Sequence, residues 1–276
     1  MTLLKNSSEG GTSGVAVSTG NSGGASGNAF DAVTVSGAGA ALAFDNSQAA
    51  HGTLSAKYTF PSGVASTAYA SWTTSAGSTS PAFFRLYLRH AANPSVNTRV
   101  WQADISGSVL CAALYVNTSG TLQMTDSAGT NIFTTTATVP LSQWYRLEGY
   151  VTGSPSAGQV ELKLFKSADS TAADEVKTSS AAQNTGGVPN SFRYGCFAAL
   201  TQSSPFTLWA DDIGLSSTGY LGPVVYPGRA QVQVAWSTEP FAAPLWTDVT
   251  DYIRLEKTVS LQRGRQDNIS EVQAGS

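Results

Sequence analysis

The sequence predicts an all-β fold, a two-sheet antiparallel sandwich of the jelly-roll kind, and three observations carry that prediction. No window of a dozen residues keeps the i, i+3, i+4 apolar rhythm of a helix with caps at its ends. Short segments instead alternate apolar and polar side chains with period two, as half-buried strands do. Clusters of Gly, Ser, Asn and Asp separate these segments, as turns require. About a dozen such strands would bury their apolar faces only by packing as two sheets.

Each element can be read in turn. Thr53-Leu-Ser-Ala-Lys-Tyr-Thr-Phe60 alternates, and so does Phe83-Phe-Arg-Leu-Tyr-Leu-Arg89. Tyr145-Arg-Leu-Glu-Gly-Tyr-Val151 and Gln159-Val-Glu-Leu-Lys-Leu-Phe165 alternate most cleanly. Between the strands lie the turns Pro61-Ser-Gly63, Asn117-Thr-Ser-Gly120, Asp126-Ser-Ala-Gly129 and Gly153-Ser-Pro-Ser-Ala-Gly158. Cys111 and Cys196 sit in strand-like surroundings and read as two buried free thiols, with a disulfide as the alternative.

Composition bounds the function. The 276 residues hold 15 Lys+Arg and 18 Asp+Glu, 12% charge at a net of −3, roughly half the usual charged share. The 41% hydrophobic and 10% aromatic content is too rich for a disordered chain. A net charge of −3 without a basic cluster argues against electrostatic binding to nucleic acid or to an anionic membrane. No apolar stretch approaches the ~18 residues of a membrane span, which predicts a soluble protein without membrane insertion. The start Met1-Thr-Leu-Leu-Lys-Asn lacks the basic head and apolar core of a secretory signal, so folding in a cytoplasm is expected.

Composition changes near residue 222. The first 229 residues carry 23 charges and the last 47 carry 10. The junction Leu221-Gly-Pro-Val-Val-Tyr-Pro-Gly-Arg229 suits a short, stiff linker. The expected organisation is a sandwich over 1–222, a linker over 223–229 and a short β segment over 230–276. That segment opens on the strand pattern Ala230-Gln-Val-Gln-Val-Ala-Trp236 and is too short to stand alone. It stops in mid-pattern at Ala274-Gly-Ser276, as the front part of a longer polypeptide would.

Two resemblances follow from particular motifs. Asn6-Ser-Ser-Glu-Gly-Gly-Thr-Ser-Gly14, Gly52-Thr-Leu-Ser-Ala-Lys-Tyr58, Gln143-Trp-Tyr-Arg-Leu-Glu-Gly-Tyr-Val151, Glu161-Leu-Lys-Leu-Phe165 and Leu208-Trp-Ala-Asp-Asp-Ile-Gly-Leu215 resemble the concanavalin A-like (laminin G-like) jelly roll. The patterns are shared by lectins, carbohydrate-binding modules, glycanases and adhesion domains, so they point to fold more than to ligand. In the last segment, Val232-Gln-Val-Ala-Trp-Ser-Thr-Glu-Pro240, Trp246-Thr-Asp-Val-Thr-Asp-Tyr-Ile-Arg254 and Gly264-Arg-Gln-Asp-Asn-Ile-Ser-Glu-Val-Gln-Ala-Gly275 resemble the opening of minor tail proteins of actinobacterial siphophages. That resemblance implies a virion protein at the phage tail, assembled in the host cytoplasm and acting extracellularly. It also implies other tail proteins as partners and a homo-oligomer in the virion.

Catalytic patterns are missing from the sequence. Glycanases of this fold use Glu-x-Asp-x-x-Glu along one strand, which no segment here matches. The acidic pairs Asp174-Glu175 and Asp211-Asp212 would point to opposite faces of a strand. His51 and His90 lie in loop-like contexts and read as surface residues rather than bases. Neither a phosphate loop nor a zinc spacing is present. The expectation is a protein that is not an enzyme.

Two kinds of site remain. The family implies a structural calcium ion between a Glu near the first strand and an Asp near the last, here Glu9 with Asp211 or Asp212. The alternative is that the aspartates blunt an edge or cap a turn. For ligand binding, Trp72, Tyr87, Trp101 and Tyr115 fall in central strands and could line a concave face as stacking platforms for sugars. Core packing is the competing role for each, and it is the expected role of Trp144 and Trp209. In the last segment Trp246 and Val249 are expected to anchor a small β core, with Arg263 and Arg265 at a turn or against a neighbouring subunit's carboxylates. The functional expectation is therefore a phage minor tail protein whose jelly roll adheres to host cell-wall glycans. Its rivals are a decorating virion protein without a ligand and an accessory carbohydrate-binding module of a bacterial enzyme.

Overall fold

The computed structural model describes residues 3–73, 81–106 and 109–224, together with the backbone of 233–234 and 247–248. The chain divides into two compact units, Met1–Val224 and Val225–Ser276. The described residues of the first unit form fifteen strands: β1 (Leu3–Asn6), β2 (Ala32–Ser36), β3 (Ala41–Asp45), β4 (Ser55–Phe60), β5 (Ser66–Thr73), β6 (Ala82–Arg89), β7 (Thr98–Asp104), β8 (Leu110–Val116), β9 (Thr121–Thr125), β10 (Asn131–Thr138), β11 (Tyr145–Thr152), β12 (Gln159–Phe165), β13 (Glu175–Thr178), β14 (Ser191–Leu200) and β15 (Phe206–Ser216). The fold is all-β, as the alternation predicts.

Two antiparallel sheets make the sandwich. One runs β13-β12-β11-β6-β15-β4-β3, and the other runs β10-β9-β8-β7-β14-β5-β2. The first has an eighth member, β1, which pairs with the far half of β15. Strand β15 changes partner along its length. Phe206–Ala210 pair with β4, and Ile213–Ser216 pair with β1. A bulge between Asp211 and Gly214 marks the change, with Asp212 at a φ of 44°. A bulge spends one extra residue and bends the strand, which lets one long strand serve two partners.

Alternation sends one row of each strand into the space between the sheets. Phe84, Leu86 and Leu88 of β6 meet Trp101, Phe192 and Tyr194 from the other sheet in one continuous core. Trp101 stacks on Phe84 across the layers, ring centroids 4.1 Å apart. Trp72 packs against Phe30 and Tyr194 at 5.1 and 5.2 Å and donates its indole N–H to the Ala29 carbonyl at 2.8 Å. Both tryptophans are at most 1% exposed. They are core side chains, which corrects their expected place on a ligand-facing surface. The opposite correction applies to Trp144 and Trp209, expected in the core and found half-buried outside it. Cys111 and Cys196 are free, buried thiols, and burial pushes both up to about 12.

At Gly195 of β14 the backbone has a φ of 104°, and an added Cβ would lie 2.5 Å from both the Ala68 carbonyl oxygen and a Tyr58 ring carbon. Only glycine fits where this strand crosses so close to its neighbours. In the second unit, β16 (Gln233–Val234) pairs antiparallel with β17 (Thr247–Asp248). Trp246, Val249, Arg263 and Arg265 lie outside the described residues.

Candidate functional site

The outward face of the seven-stranded sheet gathers the side chains best suited to a ligand. Registers place Gln123, Tyr115 and Arg99 in one row across β9, β8 and β7. A second row runs Thr125, Ala113, Gln102, Arg193 and Ser71. A hydrogen-bonded chain links the rows. The Arg99 guanidinium donates to the Tyr115 hydroxyl from Nε at 3.1 Å and again from Nη2, while Nη1 donates to the Gln102 carbonyl oxygen. Gln102 in turn donates from Nε2 to Asp104, and the other carboxylate oxygen of Asp104 lies 2.8 Å from Arg193 Nη1. The Arg193 guanidinium carbon lies over Phe197, 3.8 Å from its ring centroid, and Tyr69 meets Phe197 edge-on at 5.3 Å.

The depth of these groups differs. Gln102, Asp104 and Arg193 are buried, whereas Tyr115, Arg99, Gln123, Tyr69 and Phe197 remain half-exposed. Burial raises the Asp104 carboxyl above the usual range, opposed by Gln102 and by the charges of Arg193 and Arg99. The buried members therefore fix the half-exposed ones, with aromatic rings at both ends and amide and guanidinium donors between them.

The eight-stranded sheet treats its outward face differently. Tyr87, the fourth expected ligand platform, is fully buried there. Its hydroxyl donates to Asp169 at 3.0 Å and accepts the Val224 N–H at 2.8 Å, and burial pushes it up to about 12. Arg85 donates to the carbonyls of Asp212 and Gly222. Tyr220 donates to Glu161 and lies under Lys163, whose ammonium is 3.5 Å from the ring centroid. Residues 217–224 thus strap this face and exclude Tyr87 from a ligand. Of the four expected aromatics, Tyr115 alone sits half-exposed on an outward face.

The expected metal residues each contact one loop. Glu9 accepts the Thr53 and Leu54 N–H groups on Oε1, each at 2.9 Å, and the Thr53 hydroxyl on Oε2. Gly52 lies against the same carboxylate, with φ +69° and 2.3 Å from an added Cβ to Oε1. Asp211 accepts the N–H groups of Ala50, His51 and Asp212. Asp212 holds the His51 ring at 2.6 Å from Nδ1, and Asp169 holds the other ring nitrogen at 3.1 Å. Several of the oxygen lone pairs that a cation would need thus already accept N–H or O–H donors. Among the described residues no group of three or more His, Cys, Asp or Glu side chains could hold a metal ion. Glu9, Asp211 and Asp212 each anchor the 48–54 loop.

Neither histidine is a surface residue. His90 is fully buried between Tyr145 and Phe206, and burial lowers it to about 4. His51 is half-buried, and the hydrogen bond to Asp212 raises it against the opposing effect of burial.

Sequence reasoning missed Arg99, Gln102, Arg193, Tyr69 and Phe197. One signal was available. The seven strands of this sheet contain three charged side chains, Arg99, Asp104 and Arg193, and all three belong to one cluster. A charge isolated in an otherwise neutral sheet is expensive unless it has a task or a partner.

No protein-family model matches the chain, and no curated protein matches it. Solved structures are similar at low identity. The cellulose-induced protein Cip1 aligns at 15% identity and a TM-score of 0.47, over 70% of this chain and 94% of Cip1. A structure reporting that cell entry of botulinum neurotoxin type C depends on two ganglioside molecules aligns at 9% identity and a TM-score of 0.43, covering 70% of this chain and 44% of that one. The sialidase of Trypanosoma rangeli aligns at 12% identity and a TM-score of 0.39, covering 64% of this chain and 27% of the sialidase. The chain thus spans less than half the length of the latter two.

Proposed function

We propose that the first unit is a glycan-binding adhesion module and that the whole chain is a minor tail protein of a siphophage infecting actinobacteria. One observation supports the adhesive role: half-exposed rings of Tyr115, Tyr69 and Phe197 flank planar hydrogen-bonding groups on one sheet face. A pyranose has an apolar ring face that stacks on an aromatic and hydroxyls that pair with amides and guanidinium. The tail role rests on the motif resemblance of residues 230–276, and it makes host cell-wall glycans the target. A single site of this kind binds at ~0.1–1 mM, about −4 to −5 kcal/mol. Several copies on one tail then raise attachment by 10²–10⁴ through avidity.

The test is binding of the full chain, multimerised on beads, to isolated actinobacterial cell walls. Tyr115→Ala and Tyr69→Ala should each lower binding about tenfold, with the melting temperature changed by no more than a few degrees. Binding indifferent to both substitutions would overturn the assignment of this face. Absence of any cell-wall binding would leave the decorating role in its place. Antibody labelling of virions should mark the distal tail; labelled capsids or unlabelled particles would overturn the tail assignment.

A further inference from the structure

We propose that the glycan bound on the seven-stranded sheet carries an oxyanion, a carboxylate or a phosphodiester, seated on Arg99; this rests on the glycan-binding reading of that face. The argument starts from charge balance. The strands of this sheet contain two arginines and one aspartate. Asp104 and Arg193 are both buried and pair at 2.8 Å. Arg99 is left as the formal excess charge of the sheet, sharing Asp104 with Arg193 only beyond ion-pair distance.

The hydrogen-bond acceptors around Arg99 are neutral, and its charge also acts on Asp104, which is already paired with Arg193. Nε and Nη2 donate to the Tyr115 hydroxyl and Nη1 donates to the Gln102 amide oxygen. Among the described residues no carboxylate forms an ion pair with it. Among the other described cations, Arg146, Arg193, Lys57, Lys163 and Lys177 each pair with a carboxylate, whereas Arg85, also without an ion pair, is capped by the Asp212 and Gly222 carbonyls beneath the strap. A guanidinium has five N–H donors in a fixed fork, so two remain beyond the three already used. They sit on a half-buried side chain, held in one orientation before any ligand arrives.

Holding a partly desolvated cation without a counter-ion costs free energy that a neutral residue would not. Tyr115 and Gln102 would be positioned as well by a neutral donor. The charge therefore has its natural partner outside the protein. A planar fork with two remaining N–H groups fits two oxygens of one carboxylate or phosphate. The Tyr115 ring, beside the guanidinium at 5.1 Å, would take the adjoining sugar face. A polyhydroxylated acidic saccharide satisfies both requirements together.

The experiment is calorimetric titration of the full chain with three probes of matched size: an oligogalacturonate, a neutral β-1,4-galacto-oligosaccharide and a glycerol-phosphate oligomer. One or both acidic probes should bind at least tenfold more tightly than the neutral one. The preference should shrink when salt is raised from 50 to 500 mM. Which acidic probe wins identifies carboxylate or phosphate as the source of the oxyanion. Arg99→Met should bring the acid-to-neutral ratio close to one, and Arg99→Lys should restore it in part, because charge returns without the fork. Should Arg99→Met not fold, the preference and salt dependence of the unaltered chain still decide. Equal, salt-independent binding of acidic and neutral probes would overturn the oxyanion while leaving the glycan reading intact. No binding to any probe, together with no binding to cell walls, would overturn both.

Discussion

In the eight-stranded sheet every strand carries at least one charged side chain, from Lys5 on β1 to Asp211 and Asp212 on β15; the seven-stranded sheet carries three, all within one cluster. The outward face of the first is covered by the chain itself. Arg146 donates to the carbonyls of Ala168 and Ser170, Tyr87 holds Asp169 and Val224, and Arg85 holds Gly222. That face is a second, polar interior whose charges fix loops. The other face keeps five half-exposed aromatic and hydrogen-bonding residues on a buried polar support. In a protein with so few charges, position matters more than number. Where charge is dense it orders the chain; where it is sparse, Asp104 and Arg193 pair with each other and Arg99 is the charge proposed for a partner.

The largest effect expected from this comparison lies between the sheets. Trp101→Ala and Trp72→Ala should each cost about 3–5 kcal/mol, the range for deleting a large buried aromatic, and lower the melting temperature by about 10 °C. Thermal unfolding of each variant checks it. A variant that keeps its melting temperature but loses cell-wall binding would return that ring to the ligand face and blur the distinction.

Next in size is the buried pair of the strapped face. Arg146 and Glu148 are 1% and 3% exposed at the side chain and 3.0 Å apart, with Phe165 stacked on the guanidinium at 3.8 Å. Burial raises the Glu148 carboxyl, while Arg146 and then Arg85 pull it down. Glu148→Gln leaves the Arg146 charge without its partner and should cost about 3 kcal/mol, whereas Arg146→Met with Glu148→Leu should cost less. The double variant should still lose protection of residues 166–174 from protease, since the donors to Ala168 and Ser170 are gone. Equal stability of single and double variants would show that the pair is solvated, and that the face is not an interior.

The strand pattern of the sandwich was readable because alternation survives in segments such as Tyr145–Val151 and Gln159–Phe165, whose pairing matches their apolar rows. What the sequence hid is parity. In β7 a bulge between Arg99 and Trp101 places Val100 and Trp101 both in the core and turns Gln102 outward. No glycine or proline marks that slip, and one residue of slip exchanges the two faces. Reading platforms from ring size alone therefore selected Trp101 and passed over Arg99. The same limit applies at Asp211 and Asp212. That Glu9 and these aspartates lie near the first and last strands was legible from strand order, but their partners were not, because they are the backbone N–H groups of residues 50, 51, 53 and 54 and the ring of His51. Trp209 misled for another reason: it alternates onto the outer face beside Lys57, whose ammonium lies 5.5 Å from the ring centroid.

The last comparison separates the two histidines by the sign of their pH dependence. His90 is held neutral by burial, its pKa falling from 6.5 to about 4. Its contribution is complete above 6.5 and is lost as pH falls toward 4, to an extent of about 3 kcal/mol. His51 runs the other way. Asp212 and Asp169 grip its two ring nitrogens, Asp211 holds its backbone N–H, and Tyr87 packs edge-on at 5.0 Å. The raised pKa means its contribution is complete below 6.5 and is lost as pH rises through the folded value. Asp211 acts in the same direction from lower pH, since burial and then Asp212 hold its carboxyl well above 3.8. Melting temperatures measured from pH 4 to 9 should therefore fall on both sides. His90→Phe should flatten the acid limb and His51→Gln the alkaline limb, the latter by less, because His51 keeps some solvent contact and its pairs are partly screened. An alkaline limb unchanged by His51→Gln would show that the 48–54 loop is held by Glu9 and Asp211 through their backbone N–H bonds alone.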